Sequence, residues 1–394
     1  MRILFTFIGG SGHFRPLVPV ARAARAAGHT VAFAGGGRRG PEITAAGFTA
    51  FATSEPRGHT EATAAAATAA ARSTVEVSDP EEDIRHLAEG FARRGARRHA
   101  AAVLELARTW KPDILVRDEV DFGTAVAAEA LGLPCASVLV LAAGGFLRKD
   151  VVAEPLHELR SEYGLPYDPD LAVLDRDLVL SPFPPSFRDP RFPLPAHTFS
   201  FRPTAARPPE ATPGTPGTPG TPGTPGTPTV YVTLGTVHAG TDLFSRIAAG
   251  LRELPVNVLM TVSDHIDPAV LGPLPGHIRV ERFVPQEQLL PQCALVVSHG
   301  GSGSLMGALA HGLPSVLFPH GADQPYNARR CTELGAARTL DPVTATPEDI
   351  HSAVSTVLAD SGYRSAAERI RDEMNALPGA AETVPTLEAL ALSR

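Results

Sequence analysis

The stretch that decides the fold is ALVVSHGGSGSLMGALAHGLP, residues 294–314. Residues 294–298 are apolar and β-branched, which predicts a buried strand, and residues 305–311 predict a helix that the Gly-Leu-Pro at 312–314 ends. The turn between them, His-Gly-Gly-Ser-Gly-Ser at 299–304, is rich in glycine. Glycine permits close approach to the backbone, and free N–H groups at a helix N-terminus bind anions such as a diphosphate. A tight strand-to-helix connection without a ligand explains these residues equally well.

The same order of strand, glycine-containing loop and helix opens each half of the chain. The first half shows a strand at 3–8, glycine-rich residues 9–12, a helix over about 15–27 and a strand at 30–33. The second half shows a strand at 230–234, a loop at Gly235 and Thr236, a helix around 242–253 and strands at 256–261, 278–283, 294–298, 315–318 and 336–340. This alternation predicts an α/β fold of two Rossmann-like, doubly wound parallel sheets that face each other across a cleft. Ligands of such sheets bind at the carboxyl ends of the strands.

A low-complexity run, in which Thr-Pro-Gly repeats from residue 212 to 226, separates the two halves. Its residues cannot build a core, so we predict a domain at 1–205, a linker at 206–228 and a second domain from 229. Within the first half, Ser-Asp-Pro-Glu-Glu at 78–82 predicts the start of a helix that runs to about Thr109. The preceding residues, rich in alanine and threonine, predict a loose helix or a loop.

The composition excludes several classes of protein. The chain has 394 residues, 43% hydrophobic and 20% charged, with a net charge of −7, which is typical of a soluble two-domain protein that binds no nucleic acid. Cys135, Cys293 and Cys331 are odd in number and far apart, which predicts neither disulfides nor a zinc site and fits the cytoplasm. The apolar start at 3–8 runs into glycines, which favours a strand over a signal peptide, and no apolar stretch reaches the roughly 18 residues of a membrane span. We expect a cytoplasmic protein without a membrane partner, and homodimer formation stays open.

Two further motifs flank the glycine-rich turn. Upstream, Phe283 in the Phe-Val-Pro-Gln at 283–286 is either a core aromatic or a ring that stacks on a nucleobase. Downstream, Asp323 and Gln324 either cap a helix or form hydrogen bonds to sugar hydroxyls.

Together these motifs resemble, in order and spacing, the donor-binding signature of the family 1 glycosyltransferases of GT-B fold. The resemblance rests on 283–286, 299–301 through 312–314, and Asp-Gln-Pro-Tyr-Asn at 323–327, and it covers essentially the whole chain. The Gly-Ser-Gly-His-Phe-Arg-Pro at 10–16 looks like the loop in which these enzymes carry their catalytic base. The chain is most similar to bacterial glycosyltransferases that decorate natural products, antibiotics among them, with sugars from dTDP- or UDP-activated donors.

The resemblance implies roles for both domains and for individual residues. Residues 1–205 would bind the acceptor, 229–376 would bind the nucleotide sugar, and a last helix at 377–394 would cross back to the first domain. The implied contacts are Thr236, His299, Gly301, Ser302 and Ser304 to the diphosphate; Phe283, Val284 through its backbone, and Gln286 to the base; and Asp323 and Gln324 to the sugar. Many UDP-sugar enzymes have a glutamate that grips the ribose where this chain has Gly307, so dTDP is favoured over UDP. The nucleotide sugar is a co-substrate, and no cofactor is implied.

His13 has its own chemical logic as a general base. Imidazole titrates near neutrality, and a carboxylate on its second nitrogen fixes the tautomer and stabilises the imidazolium. The resemblance implies Asp118 as that carboxylate, with Glu119 and Asp121 as close alternatives. A histidine that only caps a helix is the structural alternative for His13.

No metal site is predicted. Asp-x-Asp pairs occur at 168–170 and 175–177, but neither follows a strand of a nucleotide-binding unit, so solvated turns are expected. His238 and His320 lie near the predicted cleft without the spacing of metal ligands.

The sequence therefore predicts an inverting, metal-independent glycosyltransferase that moves a sugar to a hydroxyl of a small natural product. Two alternatives stay open. A sugar-nucleotide isomerase resembling a 2-epimerase shares the fold, and so does a non-catalytic sugar-nucleotide-binding helper.

Overall fold

The computed structural model describes residues 1–54, 77–203, 226–235, 240–262 and 266–393. These residues form two compact units: one comprises 1–54, 80–203 and 376–393, and the other comprises 77–79, 226–235, 240–262 and 266–375. The Thr-Pro-Gly repeat, Thr236 and His238 lie outside the described residues. So does most of the alanine-rich segment before residue 77.

The described part of the first unit contains a seven-stranded sheet of order β3-β2-β1-β4-β5-β6-β7. All of its strand pairs are parallel. Its strands are β1 Arg2–Thr6, β2 Thr30–Gly36, β3 Thr49–Ser54, β4 Ile114–Asp118, β5 Cys135–Val138, β6 Val179–Ser181 and β7 Thr198–Ser200.

The described part of the second unit contains a six-stranded parallel sheet of order β10-β9-β8-β11-β12-β13. Its strands are β8 Thr229–Thr233, β9 Asn257–Thr261, β10 Ile278–Glu281, β11 Leu295–Ser298, β12 Ser315–Leu317 and β13 Ala337–Thr339. The predicted α/β fold with two doubly wound parallel sheets is confirmed.

Helices connect the strands in both units. The α-helices are Ser11–Phe14, Val18–Ala26, Gly40–Ala45, Pro80–Arg85, Ala96–Trp110, Phe122–Leu131, Lys149–Glu162, Thr241–Leu251, Gln286–Leu289, Ser302–Ala310, Gln324–Glu333, Pro347–Ala359, Ser361–Ala376 and Thr383–Leu392. Among the residues described, no helix combines the length and apolarity needed to cross a membrane.

Alternation along the strands builds a core on each face of the first sheet. Leu4 and Leu115 are fully buried on one face, while Ile3, Phe5 and Val116 are fully buried on the other. Burial on both faces explains why these strands read as continuous apolar runs. In each sheet the strand order reverses between two neighbours, β1 and β4 or β8 and β11, and this switch point is where ligands of such folds bind.

The last segment of the chain, 376–393, packs within the first unit. Arg202 N donates to Pro378 O at 2.7 Å. Leu387 is fully buried in the core of the first sheet, and His29 Nε2 lies 3.1 Å from Glu388 Oε1.

Two helix predictions need correction. The first helix begins at Ser11 and not near Arg15, because Gly10 adopts the extended conformation of an N-cap residue; His13 therefore lies within a helical turn. The predicted continuous helix at 80–109 contains a ten-residue π-helical stretch, His86–Gly95. A Cβ on Gly95 would lie 2.8 Å from both Gly90 O and Ile8 Cδ1, so the backbone packs there more closely than any residue with a side chain allows.

Candidate active site

The first candidate site lies at the carboxyl ends of β1 and β4. His13 follows β1 and Asp118 ends β4, and His13 Nδ1 lies 3.5 Å from Asp118 Oδ2. The His13 side chain is 23% exposed, whereas that of Asp118 is completely buried. The buried carboxylate thus lies behind a partly exposed imidazole, the arrangement in which a histidine can act as a general base.

Backbone amides hold the Asp118 carboxylate in place. Its Oδ2 accepts from Ile8 N at 3.0 Å, and its Oδ1 accepts from Val120 N at 2.7 Å and Asp121 N at 2.9 Å. These three hydrogen bonds, from both sides of the turn, fix the orientation of the carboxylate that faces the His13 ring.

The structure separates the three neighbouring acids that the sequence leaves as alternatives. Glu119 Oε2 accepts from Val140 N at 2.7 Å and Leu141 N at 3.3 Å. Burial raises the pKa of Glu119 to about 7, although the charge of Arg188 opposes this rise. Asp121 faces Thr6, Thr124 and His99. Of the three carboxylates, that of Asp118 is the one that lies beside His13.

Two neighbours set the position of the His13 ring. Gly9 has a φ of +112°, and a Cβ on it would lie 2.8 Å from His13 Cδ2, so both the backbone conformation and the space require glycine. The ring of Phe91, from the π-helical stretch, stacks on His13 with 6.0 Å between the ring centroids. Phe91 is absent from the sequence prediction because the π-helix that presents it is not visible in the hydrophobic pattern.

The second candidate site lies at the carboxyl end of β11. Gly300 has a φ of +82°, and Gly301 in extended conformation is the N-cap of the helix Ser302–Ala310. The His299 ring lies against two glycines: a Cβ on Gly235 would come within 3.1 Å of it, and a Cβ on Gly301 within 2.4 Å. The two loops at the switch point of the second sheet therefore meet at His299.

Hydrogen bonds tie this turn to the next motif. Asp323 Oδ2 accepts from Ser302 Oγ at 2.6 Å and from Asn327 Nδ2 at 2.7 Å. Asn327, which is fully buried, also donates to Gly300 O at 3.0 Å. Asn327 is a second residue whose role the sequence prediction missed, although the quoted motif contains it. Through these bonds Asp323 shapes the turn in addition to any contact with a sugar.

A hydrogen bond also fixes the side chain of Gln324. Its Oε1 accepts from His320 N at 2.8 Å, which sets the orientation of the carboxamide. Between these two residues, Ala322 has a φ of +52°, a strained conformation for a residue with a side chain. Strain of this kind concentrates at functional sites.

The predicted base-binding residues present different groups to solvent. Phe283 is 60% exposed, so it is not a core aromatic, whereas Val284 is buried. Gln286 Nε2 donates to Ser304 O at 3.0 Å and would lie 2.5 Å from a Cβ on Gly307. The Gln286 carboxamide therefore fills the space beside Gly307.

The aspartates dismissed as metal ligands have structural partners. Asp168 accepts from Ala172 N and Val173 N, and its side chain is 13% exposed, so this turn is more buried than the solvated turn predicted. Asp175 pairs with Lys149 Nζ at 3.0 Å. Within the described residues, no group of three or more histidine, cysteine or acidic side chains is arranged to hold a metal ion.

Comparisons with known proteins identify the family. A model described as "Erythromycin biosynthesis protein CIII-like, N-terminal domain" matches residues 22–191, and the corresponding C-terminal domain model matches residues 245–390. The chain belongs to the EryCIII-like family. It is a glycosyltransferase, as the resemblance in the sequence implies.

Two characterised relatives of this EryCIII-like chain align over nearly its whole length. The L-demethylnoviosyl transferase of Streptomyces niveus is 30% identical, over 95% of this chain and 94% of that protein. The TDP-daunosamine transferase DnrS of Streptomyces peucetius is also 30% identical, over 99% of this chain and 97% of that protein.

Solved structures agree with the EryCIII-like assignment. The glycosyltransferase SnogD from Streptomyces nogalater has a TM-score of 0.76 and 27% identity, covering 99% of each chain. The glycosyltransferase VinC, crystallised in complex with dTDP, has a TM-score of 0.78 and 25% identity, covering 100% of each chain.

Proposed function

We propose that this EryCIII-like chain transfers a deoxysugar from a dTDP-sugar to a hydroxyl of a natural-product aglycone, with inversion at the anomeric carbon and without a metal ion. The observation that carries the proposal is the His13–Asp118 pair at the switch point of the first sheet. His13 takes the proton of the acceptor hydroxyl, and the resulting oxygen nucleophile displaces dTDP. Direct displacement by an external nucleophile inverts the anomeric centre.

We assign acceptor binding to residues 1–205 and donor binding to 229–376, with 206–228 as linker. In the donor domain, His299 and the N–H groups that begin the helix Ser302–Ala310 bind the diphosphate. These groups stabilise the leaving group during transfer. Two relatives support the choice of donor: DnrS is named a TDP-daunosamine transferase, and VinC was crystallised with dTDP.

The direct test is transfer in the presence of excess chelator. We expect a dTDP-deoxysugar and a panel of polyketide and aromatic aglycones to give a glycoside and dTDP in EDTA, because a histidine and helix N–H groups can stabilise the diphosphate. Mass spectrometry detects the product, and NMR of the anomeric proton gives its stereochemistry. Activity that requires added magnesium, or a retained anomeric configuration, would contradict the proposal. Conversion of the sugar nucleotide without an acceptor would instead indicate a sugar-nucleotide isomerase. Binding of the sugar nucleotide without any conversion would indicate a non-catalytic binding protein.

The choice of nucleotide gives a second prediction. Gly307 offers no carboxylate to a ribose, and the Gln286 carboxamide fills the neighbouring space. A thymine methyl can gain roughly 0.8 kcal/mol by packing near the exposed Phe283, which corresponds to about a fourfold gain in affinity. We therefore expect calorimetric titration to show tighter binding of dTDP than of UDP.

Titration of dUDP separates the two contributions to this preference. If dUDP binds like UDP, the methyl group accounts for the difference and the 2′-hydroxyl is not read. Tighter binding of UDP than of dTDP would refute the donor assignment.

A further inference from the structure

A second histidine–carboxylate pair lies beside the first, because Asp121, in the same turn as Asp118, faces His99. The proposed reaction assigns no role to this pair. His99, on the long helix before β4, and Asp121, ahead of the helix after it, have side chains 4% and 0% exposed, and His99 Nε2 lies 3.0 Å from Asp121 Oδ2. Asp121 also accepts from Thr6 Oγ1 at 2.6 Å, Thr124 Oγ1 at 2.7 Å and Thr124 N at 3.1 Å. One carboxylate thus connects β1 with the helices on either side of β4.

Each member of this pair favours the charged form of the other. Burial opposes the imidazolium of His99, but the adjacent Asp121 carboxylate outweighs burial and raises the pKa of His99 above its ordinary value. Burial likewise opposes an ionised Asp121, yet the charge of His99 and the hydroxyls of Thr6 and Thr124 hold the pKa of Asp121 below its usual range. In its doubly charged form the buried pair has a net charge of zero.

The surroundings of His99 are closely packed. The helix after β4 meets it at Gly123, where a Cβ would lie 3.0 Å from His99 Cβ. The charged groups that act on His99 are Asp121 and, less strongly, Asp118, both from the turn. The helix after β4 presents Gly123 to His99, and β1 presents the hydroxyl of Thr6 to Asp121.

The backbone connects this pair to His13. Asp121 N donates to Asp118 Oδ1 at 2.9 Å, so the carboxylate beside His99 and the carboxylate beside His13 belong to one hydrogen-bonded turn. His13 faces Asp118 from this turn and the apolar ring of Phe91 from the π-helical stretch. An uncompensated charge on Asp121 would favour the protonated form of His13, which cannot accept a proton.

We propose that His99 and Asp121 are positioning residues for sugar transfer: they hold the turn 118–121 and cancel the charge of Asp121, so that the charge of Asp118 governs His13. This inference rests on the proposed role of His13 as the base. Without His99, the turn would carry a second net negative charge close to the reacting proton.

The test compares the pH dependence of kcat/KM in the parent chain, His99→Gln, Asp121→Asn and the double variant. Glutamine retains a donor near the position of Nε2 without its charge, and asparagine retains an acceptor for the helix cap. We expect His99→Gln to move the acidic limb to higher pH by roughly half a unit or more, because the unpaired carboxylate favours protonated His13. Adding Asp121→Asn should return the limb to the parental pH, while dTDP affinity stays equal in all four proteins.

An acidic limb that does not move in His99→Gln would overturn the proposal, as would a double variant that keeps the shift. If His99→Gln does not fold, the other two proteins decide: the limb of each should lie at or below the parental pH, and an upward shift overturns the proposal. A parental profile without an acidic limb, or an active His13→Ala variant, would instead refute the role of His13 itself. These outcomes separate a failure of this inference from a failure of the proposed function.

Discussion

Replacing His13 with alanine should lower the rate of sugar transfer by a factor of about 10² to 10⁴, the usual loss when a general base is removed. The imidazole is the partly exposed member of the pair, and the Asp118 carboxylate behind it is completely buried and held by three backbone N–H groups. A buried carboxylate of this kind cannot take over from the missing base. The measurement is single-turnover transfer, with dTDP affinity determined in parallel by calorimetry.

The affinity for dTDP should stay at the parental value in His13→Ala, because the nucleotide is assigned to the other unit. His351→Ala serves as the matched control, since this half-buried histidine lies in the helix Pro347–Ala359 of the second unit. Its rate should equal that of the parent. A parental rate in His13→Ala would show that another group accepts the proton.

Replacing Gly301 with alanine should weaken dTDP binding by roughly 10- to 10²-fold. The added Cβ would lie 2.4 Å from His299 Nε2, so the ring has to move. Gly235 also packs closely against this ring, since a Cβ on Gly235 would lie 3.1 Å from His299 Nε2. In the proposed site a displaced His299 loses its hydrogen bond to the diphosphate, and a hydrogen bond to a charged group contributes about 1.5 to 3 kcal/mol, or roughly 10- to 10²-fold in affinity. Calorimetric titration of dTDP measures the loss.

Gly276 serves as the control, because it lies in the turn before β10, at the opposite end of the sheet from the proposed diphosphate site. No atom lies within 4 Å of a Cβ built on Gly276, so Gly276→Ala should bind dTDP like the parent. Equal dTDP affinity in both alanine variants would mean that His299 is not a diphosphate ligand.

Local sequence patterns were sufficient for the architecture but not for the details of its helices. Alternating apolar strands and amphipathic helices depend on residues only a few positions apart, so both sheets could be predicted. The π-helical stretch His86–Gly95 was not predicted, because its residues show no local pattern that separates it from an α-helix, and Gly95 packs against the side chain of Ile8 from a distant part of the chain. The start of the first helix was also misplaced, since glycines at 9–12 resemble a loop although Gly10 caps a helix.

The sequence predicted some features of the candidate site, and the tertiary structure decided the others. The sequence by itself determined the residue types at the ends of β1, β4 and β11, because the motif residues follow predictable strands. It could not choose among Asp118, Glu119 and Asp121, three acids within four positions of one turn. The choice depends on the parallel pairing of β1 with β4, which aligns Thr6 with Arg117 and so brings Asp118 to Ile8 N and to His13.

Tertiary packing also decided what the other two acids do. Glu119 turns to the amides after β5, and Asp121 meets His99 from a different helix. These partners are distant in sequence, and a carboxylate has no intrinsic preference among them. Burial makes each unpaired charge costly, so each acid ends beside the donors that the packed strands and helices place around it.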